Sequence, residues 1–406
     1  MKWIKYEFQL ENMTPFKIGH DEEGSLKLRD VSQQYVLFGS SVAGFLKSLI
    51  DQNQLLGDEK NASKVKISDL VCIQKEVKIL KRDGIRINSK TSTADEKGKY
   101  ETYLLAEGHQ FMFSLTMEAS DANEWESLET LAKAIDSLSY REELLFGGGY
   151  TTGFGKMLVT EIRRTRINMD DFTQIECNEL MNWPDIEAQK LSNKIQFEAK
   201  LQDSFLLGGQ VDLYEEENKE QNKINLRERS VSYKESGQYK IPSSSIKGSM
   251  KNFCGKLGFA QEMESLFGNQ NQRGILKIFD AKLKNVHEVD YHRIKIDRIS
   301  GGVMDGAHVK ESRLISKKTE EVNVHFQISF AQEEKLKPNH RKALLFYFRD
   351  LACGRISLGG GESVGCGRII GVCLKIGDVA FKLDQSGFSE SEISKLESWI
   401  EEGDFS

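Results

Sequence analysis

The chain has 406 residues, 56 basic and 62 acidic, for a net charge of −6 and an isoelectric point near 5.8. That length exceeds one ordinary domain, and two domains of about 190 residues each are the natural division. The acidic balance argues against a free-standing, non-specific nucleic-acid binder, although a local basic groove is still compatible with it because the field that matters is local. No stretch approaches the ~18–20 apolar residues of a membrane helix. The six cysteines (Cys72, Cys177, Cys254, Cys353, Cys366, Cys373) form no CxxC pair, which speaks against a zinc ribbon or disulfide framework and leads to the expectation of a reducing cytoplasm.

In chain order, the N-terminal KWIKYEFQLE alternates apolar and charged residues and predicts a strand over 3–11, not a signal peptide. A polar loop (17–34), a short helix behind serines (40–52), a mixed segment KILKRDGIRINSKTSTADEKGKYE and an alternating strand with Phe111, Phe113 and Leu115 follow. Then come an amphipathic helix carrying Leu128, Leu131, Ile135 and Leu138, a glycine loop and a closing strand. The same order then repeats. A strand over 194–202 has Ile195/Phe197/Ala199/Leu201 against Ile4/Tyr6/Phe8/Leu10, and a charged loop covers 208–238. After a helix over 243–257 come YHRIKIDRISGGVMDGAHVKES, a strand with Val324/Phe326/Ile328/Phe330, an apolar helix near Ala343–Leu351 and a second glycine loop. The order β-α-β-β-α-β is ferredoxin-like, or RRM-like, in an α+β class. The expected division is a first domain over 1–165, a connector over 166–190, a second domain over 191–384, and a C-terminal amphipathic helix within 385–406 built on Ile393, Leu396, Trp399 and Ile400.

The duplication is visible in particular residues. YVLFGSSVAGFLKSLID (35–51) and YKIPSSSIKGSMKNFCG (239–255) align a tyrosine, two serines, a glycine and a lysine; FGGGYTTGFGKMLV (146–159) and LGGGESVGCGRIIG (358–371) align five glycines and set Lys156 opposite Arg368. The offset drifts from 191 (Ile4 to Ile195) to 212 (Phe146 to Leu358) as loops differ. Small hydroxyl residues at a helix start can cap its free amides; alternatively Ser40, Ser41, Ser244 and Ser245, with Lys47, Lys247 and Lys251 one turn in, can hold phosphate. The glycine loops fit neither the P-loop nor GxGxxG, because Tyr150 precedes Gly155 by five, Lys156 precedes Met157, and Thr152 and Val364 occupy the last glycine position. A positive-φ turn needs two or three glycines, so five per loop, ending in Lys156 or Arg368, suggest backbone at Gly148, Gly149, Gly360 and Gly361 approaching a polyanion. RDGIRIN and KIDRIS read either as surface loops or as hairpins reaching across a bound strand, with Met304 or Val303 as an apolar wedge between bases.

No Ser-His-Asp or Cys-His arrangement is present in the pattern. His20 lies alone in a first loop, and His287 and His292 give a weak metal signal. Acidic residues cluster in both first loops, as Asp21, Glu22, Glu23 and Asp30, then Asp212, Glu215, Glu216, Glu217 and Glu228, where solvated charge is the ordinary reading.

At these residues the second half resembles the RAMP-superfamily backbone subunit of type III CRISPR effector complexes. That family has an IPGSSLKG-type helix start, LFG, a strand with a DA pair, a DRIT…E thumb and a GG…G.G.G loop. The counterparts are IPSSSIKG (241–248), LFG (266–268), GILKIFDA (274–281), DRISGGVMDGAHVKE (297–311) and LGGGESVGCG (358–367). The first half matches more loosely through FGSSVAGFL, the thumb region RDGIRINSKTSTADEKGKYE and GGGYTTGFG, so the whole chain is similar to the two-subunit fusions of type III-D systems. The resemblance implies a protein of antiviral defence that binds guide RNA along a filament and displaces a base with each thumb, near Arg86, Arg298 and Met304. The implied partners are guide RNA, complementary target RNA, other RAMP subunits and the large subunit, with no membrane. It also implies target-RNA cleavage by a first-loop aspartate with Mg2+ or Mn2+. Glu228 stands in that aspartate's place in the second half, and Asp21 and Glu23 fall near it in the first. Two related roles fit the superfamily as well: an end-capping subunit gripping the guide's 5′ handle, and a guide-processing endonuclease with His20 as its histidine. A non-catalytic scaffold is the reading without RNA.

Overall fold

The computed structural model describes residues 2–19, 34–50, 53–57, 60–87, 94–119, 121–168, 175–183, 194–208, 210–218, 223–269, 271–304, 309–318, 321–330 and 336–403. By internal packing the chain divides into two units, residues 1–85 with 97–191 and residues 86–96 with 192–406. Both are mixed α and β, with many antiparallel strands and few helices among the described residues.

In the first unit, the opening strand Lys2–Asn12 lies between Gln110–Ala119 and Met157–Asn168, antiparallel to both. The order is Val36–Leu37, Leu70–Cys72, Gln110–Ala119, Lys2–Asn12, Met157–Asn168, Ile175–Leu180, with Val65–Ile67 also paired to Gln110–Ala119. Alternation predicts this strand because every second side chain faces the same way, and Ile4, Tyr6, Phe8 and Leu10 are all buried. Phe8 stacks on its cross-strand partner Phe113 at 4.9 Å. The helix Ala122–Tyr140 buries Leu128, Leu131, Ile135 and Leu138, and its start is capped by Asp121, whose side chain accepts from the Glu124 amide at 2.9 Å.

The second unit repeats the arrangement. Lys194–Leu201 lies between Val324–Phe330 and Ile369–Ile376, again antiparallel to both, and Phe197 meets Phe326 at 5.4 Å. The helices Ser243–Lys256 and Pro338–Ala352 and the C-terminal helix Glu390–Glu402, through Leu396 and Trp399, complete one core.

Three expectations need adjusting. The aligned residues of the opening strands are shifted by two, because the bulge between Gln9 and Leu10 recurs between Glu198 and Ala199. A two-residue slip leaves each side chain on its own face, which is why the alternation concealed it. The charged segment 208–238 is not a plain loop: Gln210–Asn218 and Lys223–Val231 pair antiparallel and join the hairpin Val286–Arg293/Val309–Ser316 in a separate four-stranded sheet. The segment 166–190 contains a strand, Ile175–Leu180, that extends the first sheet.

Burial pushes the Asp136 carboxyl, on the buried side of the helix Ala122–Tyr140, up to about 6. A raised carboxyl favours the protonated folded state, so its contribution is full below the unfolded value near 3.8 and is lost as pH climbs through about 6. Relative to the parent, D136N should therefore gain roughly 2–3 kcal/mol in unfolding free energy between pH 4 and pH 7, read from urea titrations at both pH values.

Candidate nucleic-acid interface

Each unit places its glycine loop between the long helix and the closing strand. Gly147, Gly149, Gly153 and Gly155 in the first loop, and Gly359, Gly361, Gly365 and Gly367 in the second, have φ between 68° and 86°. Each loop makes one 3-10 turn, Tyr150–Thr152 or Glu362–Val364. A Cβ at Gly155 or Gly367 would overlap the carbonyl of Phe146 or Leu358. The fifth glycines, Gly148 and Gly360, have ordinary φ and donate their amides to the carbonyls of Lys17 and Leu206, each at 2.8 Å. Four left-handed residues per loop, not two or three, are what this backbone demands, so its own geometry accounts for most of the glycine content. The cations ending the loops are charge-paired: Lys156 with Glu142 at 3.1 Å, and Arg368 with Asp203 at 2.7 Å.

The segment that leaves each opening strand runs between this loop and a hairpin. Phe16 and Leu105 exchange two backbone hydrogen bonds of 2.9 Å, as do Phe205 and Leu314 at 2.8 Å, while the Gly155 and Gly367 amides donate to the carbonyls of Pro15 and Ser204 at 2.9 and 2.8 Å. First loop, hairpin and glycine loop are thus brought to one place in each unit.

The described part of the connection in the second hairpin forms a hydrogen-bonded turn. The Asp297 carboxylate accepts from the amides of Ser300 (2.7 Å) and Ile299 (2.8 Å) and from the Ser300 hydroxyl (3.2 Å), which hold it below the usual carboxylate range. Ile296 and Val303 pair across the turn. Ile299 projects from it 99% exposed, more so than Val303 (59%) or Met304 (39%). Arg298 is exposed beside it, as is Arg86 on the first hairpin strand Ile79–Ile87. Sequence reasoning chose Met304 and Val303 and passed over Ile299; the signal was the Asp-x-x-Ser turn, whose two middle residues, Arg298 and Ile299, are both exposed.

The serine helices begin at Gly39 and Ser243, so Ser40, Ser41, Ser244 and Ser245 lie inside the first turn and do not cap it. The cap comes from elsewhere: Asp69 and Asp280 accept the amides of Gly39 and Ser243 at 2.7 and 2.9 Å. This leaves one exposed face on each helix, Ser40, Ser41, Gly44 and Lys47 in the first and Ser244, Ser245, Gly248 and Lys251 in the second. A Cβ at Gly44 or Gly248 would meet nothing. Lys247 lies off this face, half-buried; burial and then the neighbouring Lys251 charge bring its ammonium down to about 8.

His287 and His292 share the strand Val286–Arg293 at an odd spacing, which puts them on opposite faces. Among the described residues no group of three His, Cys, Asp or Glu could hold a metal ion. Glu228 pairs through its backbone with Leu213, and its side chain is outside the described atoms; Asp21, Glu23 and His20 lie outside the described residues.

A family model described as the RAMP superfamily matches residues 9–158 and 203–370, and each region ends just past a glycine loop. No curated protein matches the chain. Among solved structures, one chain of a cryo-EM structure of the type III-B Cmr-beta bound to cognate target RNA is 11% identical, over 40% of this chain and 61% of its own, with a TM-score of 0.33. A likeness of that size bears on neither fold nor function.

The glycines divide into two classes that substitution to alanine separates. G155A and G367A should cost at least about 2 kcal/mol through strain and collision. G44A and G248A, in open space within helices, should stabilise by roughly 0.5–1 kcal/mol in thermal or urea unfolding.

Proposed function

This chain belongs to the RAMP superfamily, and from that premise we propose that it is an RNA-binding structural subunit of a type III CRISPR ribonucleoprotein. In this reading its two units are successive steps along a guide RNA. The observation that carries the proposal is the duplicate match, in which both matched regions take in the same first-loop, hairpin and glycine-loop junction. A ferredoxin-like assignment of each unit is supported by the opening strand lying between the strands that precede and follow the second helix, with the short strand after the first helix outside them.

Contact with RNA falls on groups that the fold leaves open. The exposed Ser-Ser-Gly-Lys faces offer hydroxyls, an ammonium and a backbone without a side chain in the way, which suits close approach of phosphate. The hairpin tip supports a thumb role: Ile299 is an apolar side chain held out by a hydrogen-bonded turn, with Arg298 adjacent, and insertion between bases suits such a residue. Lys156 and Arg368 are weaker phosphate candidates than their place after the glycines suggested, because carboxylates already neutralise them. Target cleavage is part of the proposal through Glu228 and, in the first unit, Asp21 and Glu23; Mg2+ or Mn2+ bound by these carboxylates would supply charge stabilisation.

On single-stranded RNA the combined variant K47A/K251A should lower the salt slope of binding by about 1.4, near 0.7 for each lost phosphate contact. An unchanged slope would remove the helix faces from the interface. D203N, which releases Arg368, should raise the slope by about 0.7 if phosphate then takes the carboxylate's place. For cleavage, E228A, D21A and E23A are combined in the assembled complex, and target cutting that persists at every position would sink that part.

A further inference from the structure

In both units one residue of the glycine loop, held between two left-handed glycines, faces an arginine system that belongs to the hairpin. In the first unit it is Phe154, between Gly153 and Gly155, and the buried guanidinium of Arg82 lies over its ring at 5.0 Å. In the second unit it is Cys366, between Gly365 and Gly367; its Sγ lies 3.5 Å from the Ser204 hydroxyl, which in turn accepts from Arg313 Nη1 at 3.5 Å. Arg313 is itself oriented inside the hairpin. Its Nε donates to Glu311 at 2.8 Å, its guanidinium lies over Tyr291 at 4.5 Å, and Glu311, 3% exposed, also binds Arg293 at 2.7 Å. The two ties use different chemistry and start from different hairpin strands, yet end at the same loop position.

We infer that Arg82 and Arg313 act as clasps that set the angle of each hairpin over its glycine loop. Besides the clasp, the backbone pairing of hairpin to opening-strand segment is, among the described residues, a single bridge, Phe16 with Leu105 or Phe205 with Leu314, and the second hairpin is also paired to Lys223–Val231 at Lys310 and Glu311. In the first unit the single bridge leaves rotation about its own axis for the clasp to remove; in the second the clasp adds a side-chain attachment at the bridge to the two rungs shared with Lys223–Val231. Arg313 is the immediate neighbour of Leu314, so it acts at the bridge itself, whereas Arg82 acts from the opposite strand of its hairpin. Under the RNA-binding reading, on which the second half of the test rests, the clasps are positioning residues: they fix where a hairpin tip meets RNA and contribute little to affinity.

The test uses the full chain in two arms. Without RNA, hydrogen exchange is followed by mass spectrometry at 94–105 and 309–316, with the opening strands 2–12 and 194–201 as internal reference. R82A and R313A should each speed exchange at their own hairpin by about tenfold and leave the reference strands unchanged. R82K should keep the wild-type rate because an ammonium can lie over a ring, and R313K should not, because it lacks the fork that spans Glu311 and Ser204. Hairpin exchange at the wild-type rate in both alanine variants, or equal acceleration everywhere, overturns the inference. With a single-stranded oligoribonucleotide carrying 2-aminopurine, the alanine variants should keep affinity within about twofold while losing most of the fluorescence gain that reports unstacking. A tenfold or greater loss of affinity with unchanged hairpin exchange would make the arginines RNA contacts and overturn the clasp. If the wild-type chain does not bind the oligonucleotide but the variants loosen the hairpins, the clasp stands and the RNA reading falls.

Discussion

The left-handed backbone of the two glycine loops is the constraint on which the rest of the structure depends. Four residues per loop sit where a side chain would be strained, and at Gly155 and Gly367 a Cβ would also collide with the chain entering the loop. Because the loop folds this tightly, its amides reach back to Pro15 and Lys17 in one unit and to Ser204 and Leu206 in the other. Those contacts hold the segment leaving the central strand, and that segment holds the hairpin. A chain of local requirements therefore runs from glycine φ angles to the placement of elements far apart in sequence.

The helix starts follow a related logic. A helix leaves its first amides without partners, and here a carboxylate from just before a neighbouring strand, Asp69 or Asp280, satisfies the first of them. The serines are thereby released from capping and stand on an exposed face together with a glycine that the fold does not need. An aspartate supplied from 30 residues downstream in the first unit and 37 in the second does for each helix what a local serine usually does.

The duplication, the alternating strands and the amphipathic helices were legible because periodicity reports burial directly. Leu128, Leu131, Ile135 and Leu138 are buried as their spacing required, and Phe113 and Phe326 face the core as alternation required. Three things were not legible. The two-residue slip of the opening strands is invisible to a pattern of period two. The pairing of Gln210–Asn218 with Lys223–Val231 was hidden under charged residues, since a strand in a small, open sheet has little apolar face to show. The ion pairs of Lys156 and Arg368 join residues up to 165 positions apart, and no local pattern announces them. For the candidate site, the glycine and serine motifs marked the right places, but composition could not separate glycines that the backbone requires from those it leaves open.

The four-stranded sheet of the second unit contains one parallel pairing, between Lys223–Val231 and Val309–Ser316, at Arg229 with Lys310 and Ser230 with Glu311. Glu228 is the next residue along that strand. A ladder of this kind joins the two strands main chain to main chain at two rungs, so where the clasp sets the hairpin it also sets the backbone beside 228. Those rungs lie at the tip end of the hairpin, beside the pair Arg293 with Val309, so the backbone next to Glu228 sits nearer the turn than the root of the hairpin.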